Sequence, residues 1–166
     1  MNHSNIICDL DGTIALDHKR NHHLHKESCP KRADHPRKLL ACECGPYDRK
    51  WDEYFAACTT DTPNDAVIKV LIKFAIYHNI YILSGRSMGV SEQTIAWLQK
   101  HNVPYNYLQM RGVQDRTDDH LLKLQWAEDF DLWPGNTLFV MEDRKRVVDA
   151  WRAKGFTCFQ VAAGDF

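Results

Sequence analysis

Apolar residues in this chain gather in short dense runs, separated by stretches where they recur every three or four positions. Residues 5–10 (Asn-Ile-Ile-Cys-Asp-Leu) form one run and stop at Asp-Gly. Residues 80–84 stop at Ser-Gly, and 137–141 lead into Glu142 and Asp143. Residues 156–161 make a further run and 105–110 a weaker one. Runs of this length bounded by turn signals predict buried strands. Between them the spacing is helical. Val67, Val70, Leu71, Phe74 and Ala75 follow Pro63 and Asn64, and Ile95 and Leu98 follow a capping Ser91 in a helix ending near Lys100. Leu121, Leu124 and Ala127 mark a helix over 118–130. Val147, Val148 and Trp151 mark one over 145–154, with Gly155 placed as a C-terminal cap.

Strands alternating with helices predict an α/β fold, a parallel sheet covered on both faces. Ligands of such sheets bind beyond the carboxyl ends of the strands. Asp9, Asp11, Ser84, Glu142 and Asp143 all fall at predicted strand ends, so three strands bring polar groups to one edge. Residues 14–62 break the rhythm. They are too long for a plain connection and predict an inserted cap on a core formed by 1–13 and 63–166.

The 166-residue length suits one core with a small insertion. A net charge of −1 excludes a generally basic nucleic-acid coat, so any contact with an anionic polymer must be local. Positions 17–50 supply such a locality, with nine Lys/Arg against five Asp/Glu. A basic lid over the strand ends would attract phosphate-rich polymers, although a solvated polar loop explains the same residues. The N-terminal residues carry no basic leader and long apolar stretches are missing, which predicts a cytoplasmic protein without a membrane span. A reducing compartment would keep the six cysteines as thiols, with Cys8, Cys58 and Cys158 as small core residues. Cys29, Cys42 and Cys44 lie near His35 within the insertion. Thiolate and imidazole suit a structural zinc, but the spacing is irregular, and free thiols in a polar cap are the alternative. A Walker-type phosphate loop is missing.

The chemistry concentrates at Asp9-Leu10-Asp11-Gly12-Thr13. Side chains two apart on a strand share a side, and Gly12 permits a sharp turn after it. Two adjacent carboxylates repel unless a cation intervenes, and magnesium suits oxygen ligands and phosphate alike. One carboxylate can attack phosphorus while the other protonates the leaving oxygen and later deprotonates water. Ser84 and Arg86, flanking Gly85, can contact phosphate oxygens. Asp119 and Lys123, four apart, share a helix face, from which the lysine can neutralise charge. Two acids at the end of a buried strand, Glu142 and Asp143, suit a metal.

In this order the four stretches resemble the haloacid-dehalogenase phosphatase superfamily. Arg116-Thr117-Asp118-Asp119, Glu142-Asp143-Arg144 and Gln160 to Phe166 resemble more closely the 3′-phosphatase domain of bacteriophage polynucleotide kinase-phosphatases, with an echo at Gly45-Pro46-Tyr47-Asp48. The resemblance implies a Rossmann-like three-layer sandwich with about five parallel strands. It implies Mg2+-dependent removal of 3′-phosphates from DNA or RNA ends through an aspartyl-phosphate, in a host cytoplasm if the gene is a phage's, with a separate kinase or ligase as a conceivable partner. By matching position, Asp9 is the nucleophile and Asp11 the general acid and base. Arg86 and Lys123 engage phosphate, Thr13 and Ser84 donate to its oxygens, and Asp119 joins the site. Asp9, Asp11 and Asp143 attend the metal. Glu142 stands where the family usually has Asp, and is expected to support rather than ligate directly. Two alternatives stay open: a phosphatase of mononucleotides or other small phosphomonoesters, and a zinc-dependent binding module with an inactive core.

Overall fold

The computed structural model describes residues 4–24 and 50–164. Five strands form a parallel sheet: β1 (Asn5–Cys8), β4 (Asn79–Ser87), β5 (Tyr107–Arg111), β6 (Thr137–Arg144) and β7 (Cys158–Gly164), in the order β5-β4-β1-β6-β7. The fold is therefore the α/β three-layer arrangement the sequence predicts. β1 is central, pairing Ile6 with Ile80 on one side and Ile7 with Val140 on the other.

Its unbroken Ile-Ile-Cys run follows from that place, because a strand covered on both faces needs apolar side chains in both directions. Ile6 and Cys8 pack with Ile80, Ile82, Val67, Leu71, Trp97 and Leu98. That layer is supplied by helices α2 (Asp65–Phe74) and α3 (Ser91–Lys100). Ile7 joins Leu83, Val140, Val148, Trp151, Leu122 and Trp126, beneath α4 (Asp119–Asp129) and α5 (Lys145–Ala153). At about 25 cal/mol per Å2 of apolar surface, burial of such side chains is the main favourable term holding the layers together.

Two helix readings shift. Ser91 is the first residue of α3 rather than its cap, and the preceding turn is capped by Ser87, whose Oγ accepts from the Gly89 N–H. The buried stripe of α3 is Thr94, Trp97 and Leu98, leaving Ile95 partly exposed. In α4 the buried face holds Leu122, Lys123, Trp126 and Ala127, while Leu121 is exposed. The apolar pattern misassigns that face because a lysine occupies its centre. Gly155 has φ of +86° and closes α5 as expected.

The described flanks of the inserted segment are tied to the core. A two-stranded antiparallel ribbon, β2 (Ala15–Leu16) with β3 (Thr62–Pro63), joins its two ends. A 3-10 turn over His18–Leu24 and helix α1 (Trp51–Ala56) pack on each other above it. Tyr54 is buried there, and its hydroxyl donates to Asp17. The candidate zinc ligands Cys29, His35, Cys42 and Cys44 lie outside the described residues. Cys8, Cys58 and Cys158 are buried free thiols, as expected. Among the described residues, no helix is long and apolar enough to cross a membrane.

Candidate active site

β1 ends at Cys8, and the next residues turn sharply. The Leu10 carbonyl accepts from the N–H groups of Thr13, Ile14 and Ala15, and Gly12 takes φ of +89°. That positive φ favours glycine. The turn leaves Asp9 at the strand tip, where its N–H donates to the Met141 carbonyl of β6 (2.9 Å). Asp9 is thereby fixed beside Glu142 and Asp143, which close β6.

Lys123 reaches this point from α4. Its Nζ donates to Asp9 Oδ1 (2.6 Å) and Glu142 Oε2 (2.7 Å), and lies 3.5 Å from Asp119 Oδ2. The side chain is only 2% exposed. A buried ammonium is tolerated only when paired. Burial pulls its pKa down, but Asp119, Asp9 and Glu142 outweigh burial and hold it well above the ordinary value. Burial pushes Asp9 up to about 6 against the opposing pull of Lys123, while Asp143 and Asp119 add to the rise. Burial and the neighbouring Asp9 also raise Glu142 well above a usual carboxylate. Glu142 has a second task. Its Oε1 accepts from the N–H groups of Asp143 (3.2 Å) and Arg144 (3.3 Å), pinning the turn out of β6.

One carboxylate oxygen each from Asp9, Glu142 and Asp143 lies within 4.8 Å of the others. Asp9 Oδ2 is buried without a hydrogen-bond partner among the described residues. Such an oxygen costs free energy unless something occupies it. Three hard oxygen donors, one of them unsatisfied, fit a divalent cation of the magnesium class. Thr13 is fully buried and its Oγ1 donates to Asp143 Oδ1 (3.4 Å), so it steadies an acid.

Asp11 is not part of that acidic triplet. Its carboxylate accepts from both Arg20 and Arg86. These guanidiniums also converge on Asp61, with Arg20 Nε 2.7 Å from Oδ1 and Arg86 Nη2 2.9 Å from Oδ2. Arg86 additionally donates to Thr94 (3.2 Å), and the Arg20 guanidinium lies 4.1 Å from the Tyr54 ring centroid. The two guanidiniums and two carboxylates match in charge, with Arg20, Arg86 and Asp61 buried and Asp11 reaching the cavity.

Asp9, Asp11, Gly85, Asp119, Glu142 and Asp143 line one cavity of about 420 Å3, together with Arg111, Arg116 and Arg144. Arg86 and Ser84, expected to contact phosphate, are not among the residues that line this cavity. Arg86 is fully buried with its donors spent on Asp11, Asp61 and Thr94, and Ser84 Oγ is buried and accepts from the Arg86 N–H (3.1 Å). Both sit beneath the cavity because β4 continues to Ser87, past the Ser-Gly that marks its end in the sequence. Lys123 likewise lies behind Asp9 rather than on the cavity wall. Gly85 borders the cavity, and its role is spatial. A Cβ there would collide with Asp119 Oδ1 and stand 3.2 Å from its Cγ.

Of the basic groups on the wall, Arg116 and Arg144 lie in the stretches that carry the resemblance without an assigned role, and Arg111 was missed. Arg111 donates to Asp119 Oδ1 (3.2 Å) and to the Gly85 carbonyl (3.1 Å), and Arg144 Nη1 lies 3.5 Å from Asp119 Oδ2. Burial pushes Asp119 up, yet Lys123, Arg144 and Arg111 together hold it below the usual carboxylate value. Arg20 and Asp61 were also missed. Arg20 stood among nine basic residues, and Asp61 in a loop with no local pattern; only tertiary contact distinguishes them.

The family model for the polynucleotide kinase PNKP phosphatase domain matches residues 45–166. A curated relative, the putative bifunctional polynucleotide kinase/RNA ligase of Autographa californica nuclear polyhedrosis virus, is 28% identical over 148 residues. That match takes in 89% of this chain but 17% of the relative's length. A solved structure of the Pnkp1/Rnl/Hen1 RNA repair complex superposes with a TM-score of 0.69 at 29% identity, covering 98% of this chain and 43% of that one. A haloacid dehalogenase-like hydrolase from Streptococcus pneumoniae gives the same TM-score at 14% identity, over 95% of this chain and 83% of its own, and speaks for the fold.

Proposed function

Since the chain belongs to the family of polynucleotide kinase PNKP phosphatase domains, and is thus a hydrolase of the haloacid-dehalogenase phosphatase type, we propose that it removes 3′-phosphates from nucleic acid ends with Asp9 as nucleophile and Mg2+ as cofactor. The observation that carries this reading is the state of Asp9. One oxygen is held by Lys123, the other is buried without a hydrogen-bond partner among the described residues, and the residue lines a cavity with Glu142 and Asp143.

Asp9, Glu142 and Asp143 would hold the cation. When bound, Mg2+ supplies Lewis-acid polarisation of the phosphoryl group and relief of the carboxylates' repulsion. The chain's own residues do the rest. Lys123 partly neutralises Asp9, so an anionic carboxylate can approach an anionic phosphate. Arg144, at the cavity wall, pairs with phosphoryl oxygens, while Arg111, bonded to Gly85, Thr117 and Asp119, holds Asp119 in place. An Asp9 oxygen forms a bond to phosphorus while the bond from phosphorus to the 3′-oxygen breaks. Asp11 gives its proton to that oxygen, leaving a 3′-hydroxyl. Asp11 then takes a proton from water as the water attacks phosphorus, releasing inorganic phosphate and restoring Asp9. Arg20, Arg86 and Asp61 aim Asp11 into the cavity. Thr13 and Glu142 support, and residues 14–62 serve as the cap.

The chain matches only part of its relatives' length. It spans less than half of the repair-complex chains and about a sixth of the baculovirus protein. We extend the proposal to a kinase or ligase acting on the same ends. Phosphate release from a 3′-phosphorylated DNA or RNA oligonucleotide, against a 3′-mononucleotide, tests the reading. Mg2+-dependent release that prefers the oligonucleotide is expected. Inactivity on the oligonucleotide, or a clear preference for the monomer, would overturn it.

A further inference from the structure

The cavity has a second wall that the phosphate chemistry does not use. Trp51, Tyr54 and Phe55 from α1 line it, with Val113 from the segment after β5. Trp51 is 40% exposed and Val113 71% exposed. Trp51 thus presents part of its indole at the mouth of the cavity. It is nevertheless held in place. Phe55, one helical turn on, stacks against Trp51 with centroids 5.8 Å apart and planes 26° from parallel, and Tyr54 meets it edge-on at 5.7 Å. Tyr54 is itself locked by its hydroxyl bond to Asp17 and by the Arg20 guanidinium over its ring.

The cavity is also larger than its chemistry needs. Its 420 Å3 exceeds what a phosphoryl group fills, and falls in the range of sites that take a small organic molecule. Charge does not explain the surplus. Arg116 lines the same mouth, but so do Asp52 and Asp115. An aromatic platform beside a phosphate site, with mixed rather than uniformly basic charge, suits a group that is flat, apolar on its faces and one nucleotide from the phosphate.

We propose that Trp51 is a stacking platform for the base of the 3′-terminal nucleotide, so that the enzyme reads an unpaired end base as well as its phosphate. The inference rests on the 3′-phosphatase reading. Base-aromatic stacking tolerates every base, because each has a π-face, so the platform gives preference for a base-bearing end without sequence preference. It also requires the last base to be free of its pairing partner. A 3′-phosphate on a single-stranded or frayed end is then a better substrate than one at a blunt duplex end.

The test compares KM for two single-stranded oligonucleotides that differ only at the 3′-phosphorylated terminal nucleotide, which bears either adenine or an abasic site. KM does not depend on how much of a preparation is folded. The wild type should show a KM for the abasic end roughly tenfold above that for the base-bearing end. Trp51→Ala should bring the two values together, by raising KM for the base-bearing end, and Trp51→Phe should keep most of the difference. Equal KM values in the wild type would overturn the proposal, as would a difference that survives Trp51→Ala. Inactivity of the wild type on both oligonucleotides would be a failure of the 3′-phosphatase reading itself, visible before any change at Trp51, and the platform falls with it.

Discussion

Asp9 and Lys123 form a buried ion pair, and their pairing makes definite demands. Removing the ammonium by Lys123→Met strands Asp9 and Glu142 beside each other in a buried site. Breaking a buried pair in this way costs about 3–5 kcal/mol, which urea unfolding at neutral pH would register. The loss should shrink at pH 5. Asp9 is raised to about 6 in the folded protein and Glu142 well above its ordinary value, so both can take up protons there. A carboxylate whose pKa is raised on folding contributes stability below its unfolded value and loses it as pH rises through the folded value. The metal-free protein should therefore gain stability from Asp9 as pH falls from about 7 to 5. Protons and a cation compete for the same oxygens, so saturating Mg2+ should raise Tm more at pH 7.5 than at pH 5. An equal increment at both values would argue that the cation binds elsewhere. Gly85→Ala is a steric probe of the same site. It forces Asp119 away from Arg111 and Arg144, and should lower kcat while costing about 1–3 kcal/mol of stability.

At the scale of elements, the helices differ in how openly they declare themselves. In α5 the buried residues Val147, Val148 and Trp151 are all apolar and fall at i, i+1 and i+4, one helix face, so that face is plain from the chain alone. In α4 the corresponding face includes Lys123, and the sequence pattern slides to Leu121 and Leu124. A functional charge on a buried face corrupts an apolar period, because the pairing that justifies its burial comes from β1 and β6. Strand tips were legible for the opposite reason: Asp9, Glu142 and Asp143 end apolar runs, where acids are conspicuous. The extension of β4 to Ser87 was not, since it carries Ser84, Gly85 and Arg86 inside the sheet, past the Ser-Gly that marks its end in the sequence. The helix layer offers a sharp test of packing against hydrogen bonding. The Trp151 Nε1–H is buried without a hydrogen-bond partner among the described residues. Trp151→Phe gives up no bond there and should cost less than about 2 kcal/mol, whereas Trp151→Ala should cost about 3–5 kcal/mol. Thermal or urea unfolding of the two variants distinguishes a packing role from a polar one.

Across the whole molecule, the sheet order places β1 between β4 and β6, and that alone gathers residues 9, 85 and 142–143 at one edge. The inserted segment contributes through its roots. Arg20 enters from one flank and Asp61 from the other, and Arg20 pairs with both Asp61 and Asp11. Their union is a tertiary fact with no sequence period behind it, which is why charge counting saw only a basic stretch. It follows that the described flanks of the insertion and this edge of the sheet are one structural unit. Arg20→Met should lower kcat at least a hundredfold by freeing Asp11, because general acid-base catalysis of this kind contributes roughly 10²–10⁴-fold. Arg20→Lys should recover little, since one ammonium cannot reproduce the paired contacts to Asp11 and Asp61.

The account turns on a covalent bond to Asp9. Rapid acid quench of a reaction with an oligonucleotide labelled in its 3′-phosphate, followed by peptide mapping, tests that bond directly. The label should appear transiently on the peptide containing Asp9, should be released by hydroxylamine, and should be missing from Asp9→Asn. Release of labelled phosphate with no protein-bound label at any quench time, or a label on another residue, would contradict it.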